Sequence, residues 1–206
     1  MPSTSSRNRP RNSACTSDRV SVSGRVVVVD ANVLYSIELT DLLLTLATRR
    51  LVRLHWSPMI LDEVRRNLAV RPDLSAEAID YRLRRMNLAV PVALDEPPAS
   101  LVQQMAVNEH DRHVLALAVH VEADTIATFN LRDFPAAVCE LHGVGATHPD
   151  DIALSIAVDD RNRTEEALVE MAARRTRPPM SVGELLDRLA LALPDFAAHM
   201  RNAPAE

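Results

Sequence analysis

The chain has 206 residues, 47% of them hydrophobic and 25% charged, which suits one good α/β core with a small appendage. All 23 basic residues are arginine, and this excludes phosphate-loop NTPases, Schiff-base enzymes and phosphoaspartate machinery, which depend on lysine. A net charge of −5 argues against a protein that coats duplex DNA through bulk charge, while leaving room for a local arginine-lined groove.

Residues 1–24 are rich in Ser, Asn, Pro and Arg without an apolar h-region, and they read as a disordered tail, not a secretory signal. No apolar run approaches the ~20 residues that span a bilayer, so a cytoplasmic protein without membrane contact is expected. Cys15 lies in the tail and Cys139 stands alone, which suggests neither a disulfide framework nor a cysteine metal site.

The uninterrupted run Val26-Val27-Val28-Val29 predicts a strand buried on both faces, the habit of parallel sheets covered by helices. It ends in Asp30. Ligands bind beyond the carboxyl ends of such strands, so this aspartate is poised over a site. Glu38 to Arg50 reads as a helix with Leu39, Leu42, Leu43 and Leu46 on one stripe, and Val52 to Trp56 as a short strand. Trp56 is expected to pack under the sheet edge. Ser57-Pro58 has the form of a helix start, with serine as N-cap and proline at the first helical position. A further helix is predicted from Ala76 to Met86, stopping at Asn87, then a loop from Asp95 to Pro98 and a short helix over Ser100 to Met105.

Asp111 to Val121 reads as a strong helix, followed by a second parallel strand from Thr125 to Phe129 that ends at Asn130. Val138 to Leu141 is short and apolar, and Gly143 and Gly145 break the pattern beyond it. Alternating strands and crossover helices mean a parallel β-sheet flanked by helices. From Ser155 onward strand-like segments vanish. Thr164-Glu165-Glu166 is expected to open one helix and the Ser181–Glu184 capping box another, which Pro194 closes; Arg174 to Pro179 reads as a basic linker. The expected organisation is an α/β domain over 25–150 and a small α-helical extension over 155–206.

Two further acids stand where a helix should be apolar. Glu63 follows Met59 and Ile60 by four and three residues, and Asp111 precedes Val114, Leu115 and Ala118 by three, four and seven. Burying a lone carboxylate costs several kcal/mol unless it is paired or bound to metal. Each has a simpler reading alone: Asp30 caps the next helix, Glu63 pairs with Arg66 or Asn67, and Asp111 completes a capping box with Asn108 as N-cap. Together they suggest an oxygen-rich site for a hard cation, Mg²⁺ or Mn²⁺. None of the seven histidines has zinc-site spacing, and His113 and His120 on one helix read as packing or surface.

Four segments in order, Val28-Val29-Asp30-Ala31-Asn32-Val33, Ser57 to Val64, Asp111 to Ala116 and Thr128 to Pro135, resemble the successive motifs of PIN-domain ribonucleases, over about residues 25–150. The compact form with a helical tail resembles the VapC-type toxins of bacterial toxin–antitoxin pairs. The resemblance implies a metal-dependent endoribonuclease that a cognate antitoxin neutralises, and a homodimer. It makes Asp30, Glu63 and Asp111 the catalytic acids that hold Mg²⁺ or Mn²⁺. The family often has a fourth acid where this chain has Asn130; either Asp133 supplies the carboxylate or Asn130 coordinates through its carbonyl oxygen. Asn32 resembles the polar residue that steadies the first aspartate, with a turn or capping role as the alternative. Arg112 and Arg132, with Arg65 and Arg66, are candidates for RNA contact or for ordinary surface solvation. A haloacid-dehalogenase-like phosphatase also begins with a buried strand ending in aspartate, but requires an aspartate at position 32 and a lysine. The remaining alternative is a catalytically weak PIN-like module that binds protein or RNA, which Asn130 keeps open.

Overall fold

The computed structural model describes residues 24–202, so the expected N-terminal tail lies, except for Gly24, outside the described residues. Four parallel strands form one sheet in the order β2-β1-β3-β4, with β1 at Arg25–Val29, β2 at Val52–His55, β3 at Thr125–Ala127 and β4 at Gly145–Thr147. The valine run is central: Val27 pairs with Leu54 on one side and Thr125 on the other. Val26 to Val29 are buried, as a strand with helices on both faces must be. Asp124 fixes the register by accepting the Val26 amide proton at 2.7 Å.

A 3-10 turn over Ala31–Tyr35 leads from β1 into α1 (Ile37–Thr48), whose first turn is capped by Ser36. Helix α2 (Pro58–Ala69) starts as expected, with Ser57 Oγ accepting the Ile60 amide proton at 3.2 Å. Its Ile60, Leu61, Val64 and Leu68 face inward. Helix α3 (Ala76–Ala89) runs past Asn87, whose side chain accepts the Trp56 indole proton at 2.8 Å instead of ending the helix. That bond satisfies the polar edge of a wholly buried tryptophan. Arg82 of α3 donates to the carbonyls of Leu34 (2.6 Å), Ser36 (3.1 Å) and Tyr35 (3.3 Å), and to Thr40 Oγ1 (3.0 Å). It thereby ties α3 to the chain that leaves β1.

Helices α4 (Ala99–Gln104) and α5 (Arg112–His120) precede β3, and α6 (Ala136–Cys139) precedes β4. Strand β4 corrects the expectation of a break beyond Leu141. Gly143 makes the break, with φ of 71° in the left-handed region. Gly145 belongs to the strand, where a side chain would meet Thr125 Oγ1 at 3.3 Å and the Asp124 carbonyl at 3.4 Å.

The C-terminal helices are α7 (Pro149–Asp159), α8 (Arg161–Arg174), α9 (Val182–Leu189) and α10 (Pro194–Arg201). Helix α8 opens on Asp160, which accepts the Arg163 amide proton at 3.1 Å, and not on Thr164, which is buried one turn inside. The capping box at Ser181 and Glu184 forms as expected. Pro194 starts α10 and does not close α9, which ends at Leu189. Arg174 and Arg175 are not a free linker, because both reach Asp41 of α1, at 2.9 and 3.2 Å. Asp150 of α7 is buried and accepts the amide protons of Asp195 and Phe196, each at 2.9 Å, so it caps α10 from another helix. Leu168, Met171, Leu185 and Phe196 continue the core that begins in the sheet. Among the described residues no helix is long and apolar enough to cross a membrane.

Candidate active site

The carboxyl ends of β1 and β3 lie side by side, since the Asp30 amide continues the ladder onto the Ala127 carbonyl at 3.1 Å. Parallel pairing thus brings Asp30 next to Thr128. Asp30 is 6% exposed. Its Oδ1 accepts from the Ala31 amide at 2.7 Å, and its Oδ2 accepts from Asn32 Nδ2 at 2.6 Å and Thr128 Oγ1 at 2.8 Å. The expected cap of the following turn is therefore real, and the same carboxylate is held by two further donors. Burial, opposed by the bonds from Thr128 and Ala31 and reinforced by the charges of Glu63 and Asp133, lifts its pKa to about 6.

Glu63 enters from α2, half-buried with its side chain 32% exposed. Tyr35 Oη donates to its Oε1 at 3.3 Å. Burial and then the Glu63 charge push the Tyr35 phenol up to about 12, so it remains a donor. His113 Nε2 stands 3.9 Å from Glu63 Oε2. Burial, followed by the Arg66 charge, pushes the His113 pKa down, so this contact is between a carboxylate and a neutral ring. His113 is thus a buried neighbour of the site, a packing residue with a polar edge.

Asp111 immediately precedes α5 and caps nothing with its side chain, which removes the capping-box reading. Burial, and then the charges of Asp133 and Asp30, raise its pKa. Asp133 acts electrostatically on both Asp30 and Asp111, whereas Asn130 is exposed and donates only its amide, to Thr128 Oγ1 at 3.0 Å. Asn32 bridges the two strand ends: Nδ2 also donates to Thr128 Oγ1 at 3.0 Å, and Oδ1 accepts from the Phe129 amide at 3.2 Å. Arg112 is turned to the Val107 carbonyl at 3.3 Å, Arg65 pairs with Asp62 and Asp80, and Arg132 is exposed without an ion pair among the described residues.

Thr128 was not singled out from the sequence. It is wholly buried, and its hydroxyl is the hub joining Asp30, Asn32 and Asn130. A threonine ending an apolar strand looks like an ordinary β-former, and its polar company comes from the neighbouring strand.

Among the described residues no three His, Cys, Asp or Glu side chains stand close enough to hold a metal ion as placed. The donor chemistry nevertheless fits a hard cation. Asp30, Glu63, Asp111 and Asp133 offer only oxygen, and burial first, then the neighbouring acids, raises the pKa values of Asp30 and Asp111.

The family model described as PIN domain matches residues 26–132, over half the chain, and the chain belongs to that family. The model described as VapC50 C-terminal domain matches residues 149–202. The protein named "Putative ribonuclease VapC50" from Mycobacterium tuberculosis is 38% identical over 99 residues, covering 47% of this chain and 59% of that protein. The match therefore spans less than two thirds of the relative. No solved structure matches.

Proposed function

We propose that the chain is a Mg²⁺- or Mn²⁺-dependent endoribonuclease of the VapC toxin kind, acting on cytoplasmic RNA and held in check by a cognate antitoxin. The observation that carries the reading is the buried Asp30 carboxylate held by Ala31, Asn32 and Thr128 at the carboxyl end of a parallel sheet, with the charges of Glu63 and Asp133 acting on it and those of Asp133 and Asp30 on Asp111. Family membership and the VapC50 relative support it.

Asp30, Glu63, Asp111 and Asp133 would hold the cation, which when bound supplies an acidified water and charge stabilisation at the scissile phosphate. Asn32 and Thr128 orient Asp30, and Tyr35 orients Glu63. Arg132, and Arg112 at the mouth of α5, offset the acidic field for an incoming phosphate. Hydrolysis by in-line attack leaves 5′-phosphate and 3′-hydroxyl ends.

The antitoxin would dock between α1 and α3. A groove of about 510 Å³ between α1 and α3 has an apolar floor including Leu44, Leu74 and Ile79, and Arg85, Arg174 and Arg175 along its lining. An apolar-faced antitoxin segment with an acid opposite Arg85 would fill it, Arg174 and Arg175 being paired with Asp41, and homodimerisation belongs to the same reading. Purified antitoxin-free protein should cleave RNA with added Mg²⁺ or Mn²⁺, and Asp30→Ala or Asp111→Ala should stop it. Unchanged cleavage in both variants would sink the site, and no cleavage by wild type under any metal would favour the binding module.

A further inference from the structure

The chain has six aromatic residues, and Trp56, Phe134 and Phe196 are buried in the core. Phe129 is different: 37% exposed, it directly follows Thr128 at the carboxyl end of β3. Its amide donates to Asn32, which donates to Asp30, so the backbone under the ring is pinned to the proposed catalytic acid. The ring meets His148 edge to face, with centroids 5.0 Å apart and planes at 77°. His148 follows β4 and caps α7, its Nδ1 accepting the Asp150 amide proton at 3.2 Å. That bond places the proton of the neutral ring on Nε2, leaving a donor N–H that the cap does not use. Arg132, three residues beyond Phe129, is exposed and makes no ion pair among the described residues.

An exposed apolar residue alone needs no explanation. Here a rigid aromatic pair, a spare N–H and a free guanidinium share the end of the sheet that carries the acids. Nucleic-acid bases stack on such rings when they are unpaired, whereas duplex bases keep their faces hidden. We propose that Phe129 and His148 form the subsite for one unpaired nucleobase next to the scissile phosphate, with Phe129 stacking on it, His148 Nε2–H donating to it and Arg132 meeting a neighbouring phosphate. The substrate class is then single-stranded or looped RNA. This rests on the ribonuclease reading.

The test compares wild type with Phe129→Leu, Phe129→Trp and His148→Asn in the full chain, asparagine being chosen because it still caps a helix. Binding of a labelled single-stranded RNA is measured in EDTA, and cleavage kinetics with Mn²⁺. Phe129→Leu should weaken binding and raise KM by about tenfold with kcat nearly unchanged, Phe129→Trp should restore both, and His148→Asn should weaken binding several-fold. Melting curves of the four proteins should coincide. Wild-type KM in Phe129→Leu, or failure of tryptophan to rescue, overturns the subsite while the ribonuclease reading stands. Wild type that neither binds nor cleaves RNA overturns both.

Discussion

Thr128 donates its hydroxyl proton to Oδ2 of Asp30 across 2.8 Å, from the end of one parallel strand to the end of its neighbour. Thr128 Oγ1 in turn accepts from Asn32 Nδ2 and from the Asn130 backbone amide, so one hydroxyl fills its whole bonding capacity. Thr128→Val keeps the shape and removes all three bonds. It should cost about 1–3 kcal/mol in urea unfolding, because two donors and a carboxylate lose a buried partner. It should also lower cleavage without changing RNA binding. A variant as stable as wild type would show that water replaces the hydroxyl.

The acid it serves makes stability depend on pH. The folded chain holds the Asp30 proton up to a pKa of about 6, against 3.8 for an ordinary aspartate. Between these values the folded state carries the extra proton, so this group's contribution to stability falls as pH rises through the window. Asp30→Asn removes the titration. In metal-free buffer the stability of the variant relative to wild type should therefore rise by about 2 kcal/mol between about pH 4 and about pH 7. Urea melts at both pH values check this, and a constant gap would refute it. Added Mn²⁺ should stabilise wild type and leave the variant where it was.

Asp150 supports the helical extension by accepting two amide protons from the first turn of α10. Asp150→Ala leaves those donors buried or partly buried without a partner. A loss of about 1–3 kcal/mol is expected, with faster hydrogen exchange confined first to α10. Uniform exchange across the chain would mean that α10 does not open separately.

Arg82 holds three consecutive carbonyls, Leu34 to Ser36, where the chain leaves the Asp30 turn for α1. Burial pushes its pKa down, although the guanidinium remains charged. Lysine has no planar fork to span several acceptors, so Arg82→Lys should rescue little of the loss seen in Arg82→Ala. The readout is exchange of the amides at 31–40 together with cleavage rate. Full rescue by lysine would show that charge alone matters there.

Strand β1 and the Ser57-Pro58 helix start were legible because each is written in contiguous residues, a β-branched run and a cap, and Glu63 and Asp111 stood out as acids set against a 3.6-residue stripe. Strand β4 was not. It has three residues, begins with glycine and owes its existence to a close approach to Thr125. Thr128 and Asp150 were passed over for a related reason, since their partners come from other strands and helices. Asp150 looked like an ordinary acid in a helix's first turn, while the amides it caps lie 45 and 46 residues further on. The choice between Asn130 and Asp133 was equally out of reach, because it depends on how the short turn after β3 aims each side chain.

His148 has two attachments, one to the ring of Phe129 and one to the first turn of α7, whose Asp150 grips α10. The aromatic pair beside the acids is thus mounted on the same beam as the last helix of the chain. The last helix of the chain and the Phe129 ring are thereby separated by only two side chains, Asp150 and His148.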